Sequence, residues 1–495
     1  MAKKGSITVF LALILSLLLS LVCASIESVR MAAARTQILN SLDIGLYSLF
    51  GQYDRAVLKE YDLFLLDGSL GRGELDMASV YDNMESYMKP VLKQNSQKLS
   101  VVQGGFTGYR LLTDDNGEVF YHQVIKYMKE TLGSQGIQLL IQKMKGREDE
   151  TRAAEERGAQ AESGNALESY ESEMDTAAKN SQEAMEEAQK NQEQEGTDNP
   201  QTGDITSGQD TVKVENPITI IRRISKMGIL ELVIPRGKGV SDSSISRSTM
   251  VSGRRLNEGM PMYTSLDKDD SYTSQVLFQQ YLMDKLGNYH KPAAGGLRYQ
   301  IEYVLGGKDN DIENLKSVAG KLLLIREGVN FACLAGDSSK RAQAQALALA
   351  IASGFLIPPA AGIIEAALLL CWSFAESVLD VRELFDGGKV PLVKTGADWQ
   401  LSLENLPHLL EGLDSVRKSS DKGMSYEDYL QVMMLTLGRE NKIRRGMDMT
   451  ELNMKSTGKR EAFRLDNCIV ALEASVDVRA NQRKTFTVTR QYCYD

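Results

Sequence analysis

The chain has 495 residues, of which 42% are apolar and 25% charged. That length allows more than one domain and a sizeable core, while the charged fraction excludes a multi-span membrane protein as a whole. The net charge of −9 is uneven: residues 146–212 hold 18 acidic and 5 basic residues, and the remainder, at +4, leaves no nucleic-acid footprint.

Met1-Ala2-Lys3-Lys4-Gly5 is short and basic, and no charge follows until Glu27. The 21 residues from Ser6 to Ile26 would span about 32 Å as a helix, enough for a hydrocarbon layer of about 30 Å. Val22-Cys23-Ala24 offers signal peptidase a place to cut after Ala24. An uncleaved anchor is the stronger reading, because Ile26, Val29, Ala33, Ile38, Leu42, Leu46 and Phe50 carry a helical pattern straight through that site. Bulky Val22 before Cys23 does not suit lipidation. Lys3 and Lys4 before the span balance Arg30 and Arg35 after it, so positive-inside counting does not orient it. Ser16, Ser20 and Ala24 recur at four-residue spacing and are candidates for close helix packing in lipid; the same residues are equally at home in a lone span.

Lys4-Gly5-Ser6-Ile7-Thr8-Val9-Phe10, the apolar helix, and Ile26-Glu27-Ser28-Val29-Arg30 together resemble the pseudopilin-like start of TadE/TadG-type minor proteins of Tad (tight adherence) pili. More closely, Tyr53-Asp54-Arg55 with the run through Asp67, and the stretches 297–308, 321–330 and 389–402, resemble an uncharacterised-domain family (domain of unknown function 5702) of Gram-positive Tad-type loci. The resemblance covers nearly the whole chain outside the acidic segment and implies a place among pilus or secretion-system subunits, without implying any chemistry. It does not extend to prepilin-type processing between Gly5 and Ser6, because such substrates usually carry Glu where this chain has Phe10.

Beyond residue 50, Tyr61-Asp62-Leu63-Phe64-Leu65-Leu66 reads as a buried strand. Residues 74–94 are helix-like until Pro90 interrupts them. Residues 99–112, rich in Val, Tyr, Phe and Gly and followed by the turn signal Asn116-Gly117, read as a strand or hairpin, and 119–145 return to helical spacing. Residues 146–212 contain one Leu, one Tyr and no Phe or Trp, too little apolar surface to offset an ordering cost of about 1–2 kcal/mol per residue. They read as a disordered acidic linker, with transient helix expected over 152–190 and no a/d stripe for a coiled coil.

Residues 218–227 suggest a helix, 230–234 a strand ending at Pro235, 241–263 an irregular polar stretch, and 272–286 an amphipathic helix. Leu297, Tyr299, Ile301, Tyr303 and Leu305 alternate with Arg298, Gln300, Glu302 and Val304, the pattern of a half-buried strand. Residues 310–334 form a long helix with Asp311 and Glu313 at the dipole-favoured start. The uncharged stretch 342–364 is broken by Pro358-Pro359 and suits a buried helical hairpin better than a second span; membrane contact over residues 342–376 is the open alternative. Helices follow at 401–413, interrupted at Pro407, and at 426–437, where Ser425 and Asp428 are placed as a capping box. Two strands, 468–478 and 485–494, close the chain. Burying both apolar faces requires an even pairing sum in this hairpin, such as a three-residue loop from 480 to 482. That register puts Cys468 and Cys493 on opposite faces as free thiols.

No constellation carries catalysis. His122, His290 and His408 lie far apart, no Cys-x-x-Cys occurs, and Gly306-Gly307-Lys308 and Gly387-Gly388-Lys389 lack the Ser or Thr a phosphate loop needs. Ser415-Val416-Arg417-Lys418 matches Ser-x-x-Lys without companion motifs. The expectation is an α+β protein with no catalytic, cofactor or metal site and no disulfide. Its regions are a membrane anchor with its continuing amphipathic helix over 1–50 (span about 6–26), an amino-terminal α+β region over 51–145, the disordered acidic linker over 146–212, and a helix-rich α+β region over 213–495. The expected role is that of a single-pass protein of the cell membrane, with a mixed helix/strand ectodomain outside the cytoplasm, serving as an accessory or pseudopilin-like component of a Tad-type pilus or secretion system. Its partners would be the membrane and other pilus or secretion-system subunits, with no nucleic acid. The alternative is an anchored binding or sensory ectodomain for a small ligand or cell-wall partner.

Overall fold

The computed structural model describes residues 4–93, 98–162, 217–262, 269–354, 358–413, 419–420, 423–457, 460–480 and 484–494. In chain order its principal elements are helix α1 (Lys4–Phe50), α2 (Arg55–Tyr61), strand β1 (Leu66–Asp67), α3 (Met77–Lys93), β2 (Ser100–Leu111), α4 (Asp114–Glu162, interrupted at Asp115–Gly117 and at Gly133), α5 (Pro217–Ser225), α6 (Ile229–Val233) and α7 (Tyr272–Lys285). There follow α8 (Gln300–Gly306), α9 (Asp311–Gly336), α10 (Ser338–Gly354), α11 (Ala361–Asp386), α12 (Tyr426–Thr436), α13 (Arg439–Thr457), β3 (Cys468–Ala480) and β4 (Lys484–Cys493). The class is α+β, as expected.

The elements form two units, each discontinuous in sequence. One comprises Met1–Gly133, Ser246–Tyr281 and Arg439–Asp495, the other Ser134–Ile245 and Leu282–Gly438. This interleaving differs from the consecutive regions 51–145 and 213–495 read from the sequence. It arises because β2 finds its partner in β3, some 370 residues on, where Ser100 pairs with Arg479.

The first unit is built on α1. Ala34, Ile38, Leu42 and Leu46 recur every fourth residue and are all buried, together with Leu49 and Phe50. This stripe packs with Val80, Met84, Met88 and Leu92 of α3 and with Leu472, Ala474, Val476, Val478 and Val488 of the sheet. Burying each of the Val, Leu, Ile, Met and Phe side chains here contributes roughly 1.5–3 kcal/mol. Gly45 permits the close approach of α1 and α3: a Cβ there would lie 2.6 Å from Met88 Cγ. Pro90 does not end α3, which continues to Lys93. Ser41 Oγ and Gln37 Nε2 donate to the Met88 and Val91 carbonyls and hold the last turn in place.

β3 is the central strand of a four-stranded antiparallel sheet, with β2 on one side and β1 and β4 on the other. Ala480 pairs with Lys484 and Ala471 with Cys493 without a register break, so the pairing sum is even as expected, but Ala480 belongs to β3 and not to a loop from 480 to 482. Of the expected strand at 61–66 only Leu66 joins the sheet. Tyr61 closes α2 against a left-handed Asp62 (φ 54°), while Leu63 and Leu65 are buried without pairing. Arg254 ties the 246–281 segment in, forking onto Glu451 of α13 (2.7 and 2.6 Å) and reaching Asp466 (2.6 Å). α13 escaped the sequence reading because its many charges obscure the buried stripe Ile443, Met447 and Met454.

The second unit is helical. α11 is buried along most of its length and packs against α9 and α10. α10 and α11 form the expected hairpin, with Pro358–Ala360 as a 3-10 turn and Ala344, Ala348 and Ala352 keeping the buried side of α10 small. The capping box of Ser425 and Asp428 is present on α12.

Two expected strands of this unit are helices. Residues 230–234 lie in α6 and its C-cap, where buried Arg382 donates to the Leu232 and Ile234 carbonyls at 2.9 Å and so satisfies the carbonyl end of the helix. The alternating run 297–305 enters α8, closed by left-handed Gly307 (φ 62°), because every residue from Gln300 to Leu305 is buried and neither face needs to be polar. The linker boundary also moves. α4 extends to Glu162, so residues 146–162 are helical, supported by Glu148–Arg152 and by Arg147 against Asp428 (2.5 Å). The rest of that segment and the Ser415–Lys418 motif lie outside the described residues.

Candidate functional site

α1 is one helix with two environments. Its apolar side chains from Ile7 to Val29 are exposed, Leu17 at 69%, whereas the stripe from Ala34 to Phe50 is buried. The bare half is long and apolar enough to cross a membrane. α11 passes the same test of length and composition, but most of it is buried inside its unit and it carries buried Glu376, Asp380, Arg382 and Glu383.

Gly5 and Ser6 fall in the first turns of α1, and Phe10 is 63% exposed. Ser16, Ser20 and Ala24 are exposed on the bare half. Ser16 Oγ donates back to the Leu13 carbonyl of its own helix (2.8 Å), and no second element meets these three residues among those described.

The second unit contains a buried four-charge cluster that sequence reading did not find. Arg326 donates from Nε and Nη2 to Asp380 Oδ2 (3.1 and 2.9 Å), and from Nη1 to the Pro391 and Leu392 carbonyls and the Tyr429 hydroxyl. Lys394 Nζ reaches Asp380 Oδ1 (2.5 Å) and Glu376, whose carboxylate also accepts the Gln400 and Leu401 amides. Burial opposes ionisation of Asp380, but Lys394 and Arg326 hold its carboxyl below the usual range. The cluster is charge-balanced, and it clamps the irregular segment 390–401, with its 3-10 turn at Gly396–Asp398, onto α9 and α11.

Glu302 on α8 is the other buried acid. It accepts the Tyr289 amide and the Tyr426 hydroxyl on Oε1 (both 2.8 Å), Oε2 has no partner, and burial pushes its pKa up to about 7. Reading 297–305 as a strand would have placed Glu302 on the polar face. A signal was nonetheless present in Gly306-Gly307, which suits a helix C-cap better than a strand end.

Each unit has a surface cleft. In the first, a cleft of about 690 Å³ runs beside Asp115, Asn116 and Gly117, three consecutive left-handed residues (φ 54°, 60° and 85°). Its wall includes Asp114, which accepts the Leu111 and Gly259 amides, and buried Thr113, whose hydroxyl has no partner. In the second, a cleft of about 600 Å³ is lined by Lys238, Ser241, His290, Arg298 and Tyr299. The Ser241 hydroxyl is committed to Asp311 (2.6 Å) and His290 Nε2 to the Leu384 carbonyl (2.9 Å). Among the described residues no group of three His, Cys, Asp or Glu side chains could hold a metal ion.

Fold and site thus define an α+β protein that carries a long amino-terminal helix able to span a membrane. Residues 207–480 match the model of a family of unknown function, DUF5702, and the chain belongs to that family. The match contains the stretches 297–308, 321–330 and 389–402 and stops short of α1. No curated protein and no solved structure matches the chain.

Proposed function

We propose that this protein is a single-pass membrane protein with both units outside the cytoplasm, acting as an accessory or pseudopilin-like subunit of a Tad-type pilus or secretion system. The observation that carries the reading is the continuity of α1 from a bare apolar half into the buried spine of the first unit. A helix so placed transmits any lateral packing in the membrane directly to the folded body. Ser16, Ser20 and Ala24 are small enough for such packing, and native Cys23 lies beside that stripe.

The test is a carbonate wash of membranes from the native host, followed by bismaleimide crosslinking through Cys23. Retention in the pellet with an amino terminus upstream of Ala24, and crosslinks to a copy or to a pilus subunit, support the reading. A soluble form beginning at Ser25 overturns the anchor, and a retained but uncrosslinked chain overturns the subunit role. The clefts favour a second reading, an anchored binding ectodomain, through the left-handed triplet and the partnerless Thr113 hydroxyl beside the larger of them.

A further inference from the structure

We propose that the end of the first unit from which α1 emerges is a basic collar that seats on anionic phospholipid headgroups; the inference rests on α1 being inserted in a bilayer. If Ser6–Ile26 fills the hydrocarbon layer, Ala34, the first fully buried residue, follows Ile26 by eight residues, or about 12 Å of helix. The headgroup layer on one side occupies about 5–7 Å of that distance. No stalk separates the folded body from the membrane, so the chemistry of this end matters.

Three observations identify which residues lie there. α3 runs antiparallel to α1: Gln52 meets Tyr87 and Asn83, Ser41 meets Met88, and Gln37 meets Val91, so Lys93 lies toward Ala34. β4 runs parallel to α1, with the Tyr494 hydroxyl on the Phe50 carbonyl and Arg490 on Asp43, so Lys484 lies at the Ala34 end. The pairings Ala480↔Lys484 and Ser100↔Arg479 bring Arg479 and Lys98 to the same end.

With Arg30 and Arg35 on the helix, this makes six exposed basic side chains at one end. None has an acidic partner among the described residues, and Lys484 only overlies the ring of Phe486. The acidic residues nearby are Glu27, Glu85, which is paired with Lys89, and Asp477, which accepts from Gln103 and Thr487. At the far end of the sheet the carboxylates are engaged: Asp54 with Arg460, Asp466 with Arg254, and Asp114 with backbone amides. Six exposed basic side chains therefore gather at the end the membrane would meet, against Arg55 and Lys59 of α2 at the far end. Lysine and arginine donors suit phosphodiester oxygens, and each basic residue near an anionic surface raises affinity about fivefold.

The experiment uses the full chain, reconstituted into vesicles of phosphatidylcholine alone or of an equimolar mixture with phosphatidylglycerol. A membrane-impermeant amine-acylating reagent is applied and lysine modification is read by mass spectrometry. The expected result is several-fold protection of Lys93, Lys98 and Lys484 in the anionic vesicles, relative to neutral ones and to exposed Lys59. That protection should vanish near 1 M salt, where the screening length falls to about 3 Å. Equal acylation in both vesicle types, with the chain still carbonate-resistant, overturns the collar and leaves the anchor standing. Release of the chain by carbonate from both vesicle types overturns the anchor and the collar together.

Discussion

Arg490 on the last strand donates from Nε to Asp43 on the first helix at 2.9 Å, joining residues 447 positions apart. The two ends of the chain therefore build one core, and α1 is held by the carboxy-terminal hairpin. The ion pair itself is half exposed, at 41% and 50%, so it marks the arrangement without supplying much of its stability.

Energetics should follow burial here, not charge. Arg490→Ala is expected to cost less than about 1 kcal/mol, whereas Leu42→Ala, at a fully buried position, should cost about 2–5 kcal/mol. Native-state amide exchange of β3 peptides measures both. Equal effects would mean that the helix is held mainly by its surface contacts.

Removing one partner from the buried cluster should be costly. Lys394→Met leaves Glu376 without its cation and is expected to destabilise the second unit by about 3–5 kcal/mol, while the E376M/K394M double variant should recover much of the loss. Both tryptophans of the chain, Trp372 and Trp399, stand edge-to-face in this unit at 5.7 Å, so denaturant titration followed by tryptophan fluorescence reports it selectively. A double variant no better than the single one would contradict the pairing.

Glu302 makes stability depend on pH in a defined direction. Burial raises its pKa from 4.5 to about 7, so between those values the folded state holds a proton that the unfolded state has released. Stability from this group is fully present below about pH 4.5, falls as pH rises to about 7, and is flat above; the total change is roughly 3 kcal/mol. Glu302→Gln, which keeps the acceptor for Tyr289 and Tyr426, should remove this slope and be more stable than the parent at pH 8. Urea midpoints at pH 5 and pH 8 for both proteins provide the check, and parallel slopes would show that Glu302 does not titrate in this range.

The cysteines of the closing hairpin should not pair. Cys493 stands opposite Ala471, three residues or about 10 Å along β3 from Cys468, and an odd offset sends the two side chains to opposite faces. Thiol labelling of the denatured, unreduced protein is expected to modify both. A Cys468–Cys493 crosslinked peptide would show a different register in solution.

The sequence by itself determined those features that depend on a local period or a local cap. These include the unbroken helix through Ala24, the box of Ser425 and Asp428, the break at Pro358-Pro359 and the even register of the last hairpin. For the first three the deciding residues lie within a few positions of one another, so the backbone alone sets their geometry; the register follows from the two-residue period that puts each strand's apolar set on one face.

Only the tertiary structure decided the rest. Leu297–Leu305 alternates like a strand, yet it enters a helix because packing buries every residue from Gln300 to Leu305, and a polar alternation marks a strand only where one face stays in water. Pro90 stays helical because side chains of α1 support its turn. Arg326, Glu376, Asp380 and Lys394 look like ordinary surface charges, and they become one buried cluster only when α9, α11 and the 390–401 segment meet. The physical reason is common to all three: the partner that satisfies each group lies tens to hundreds of residues away, and only folding brings it within reach.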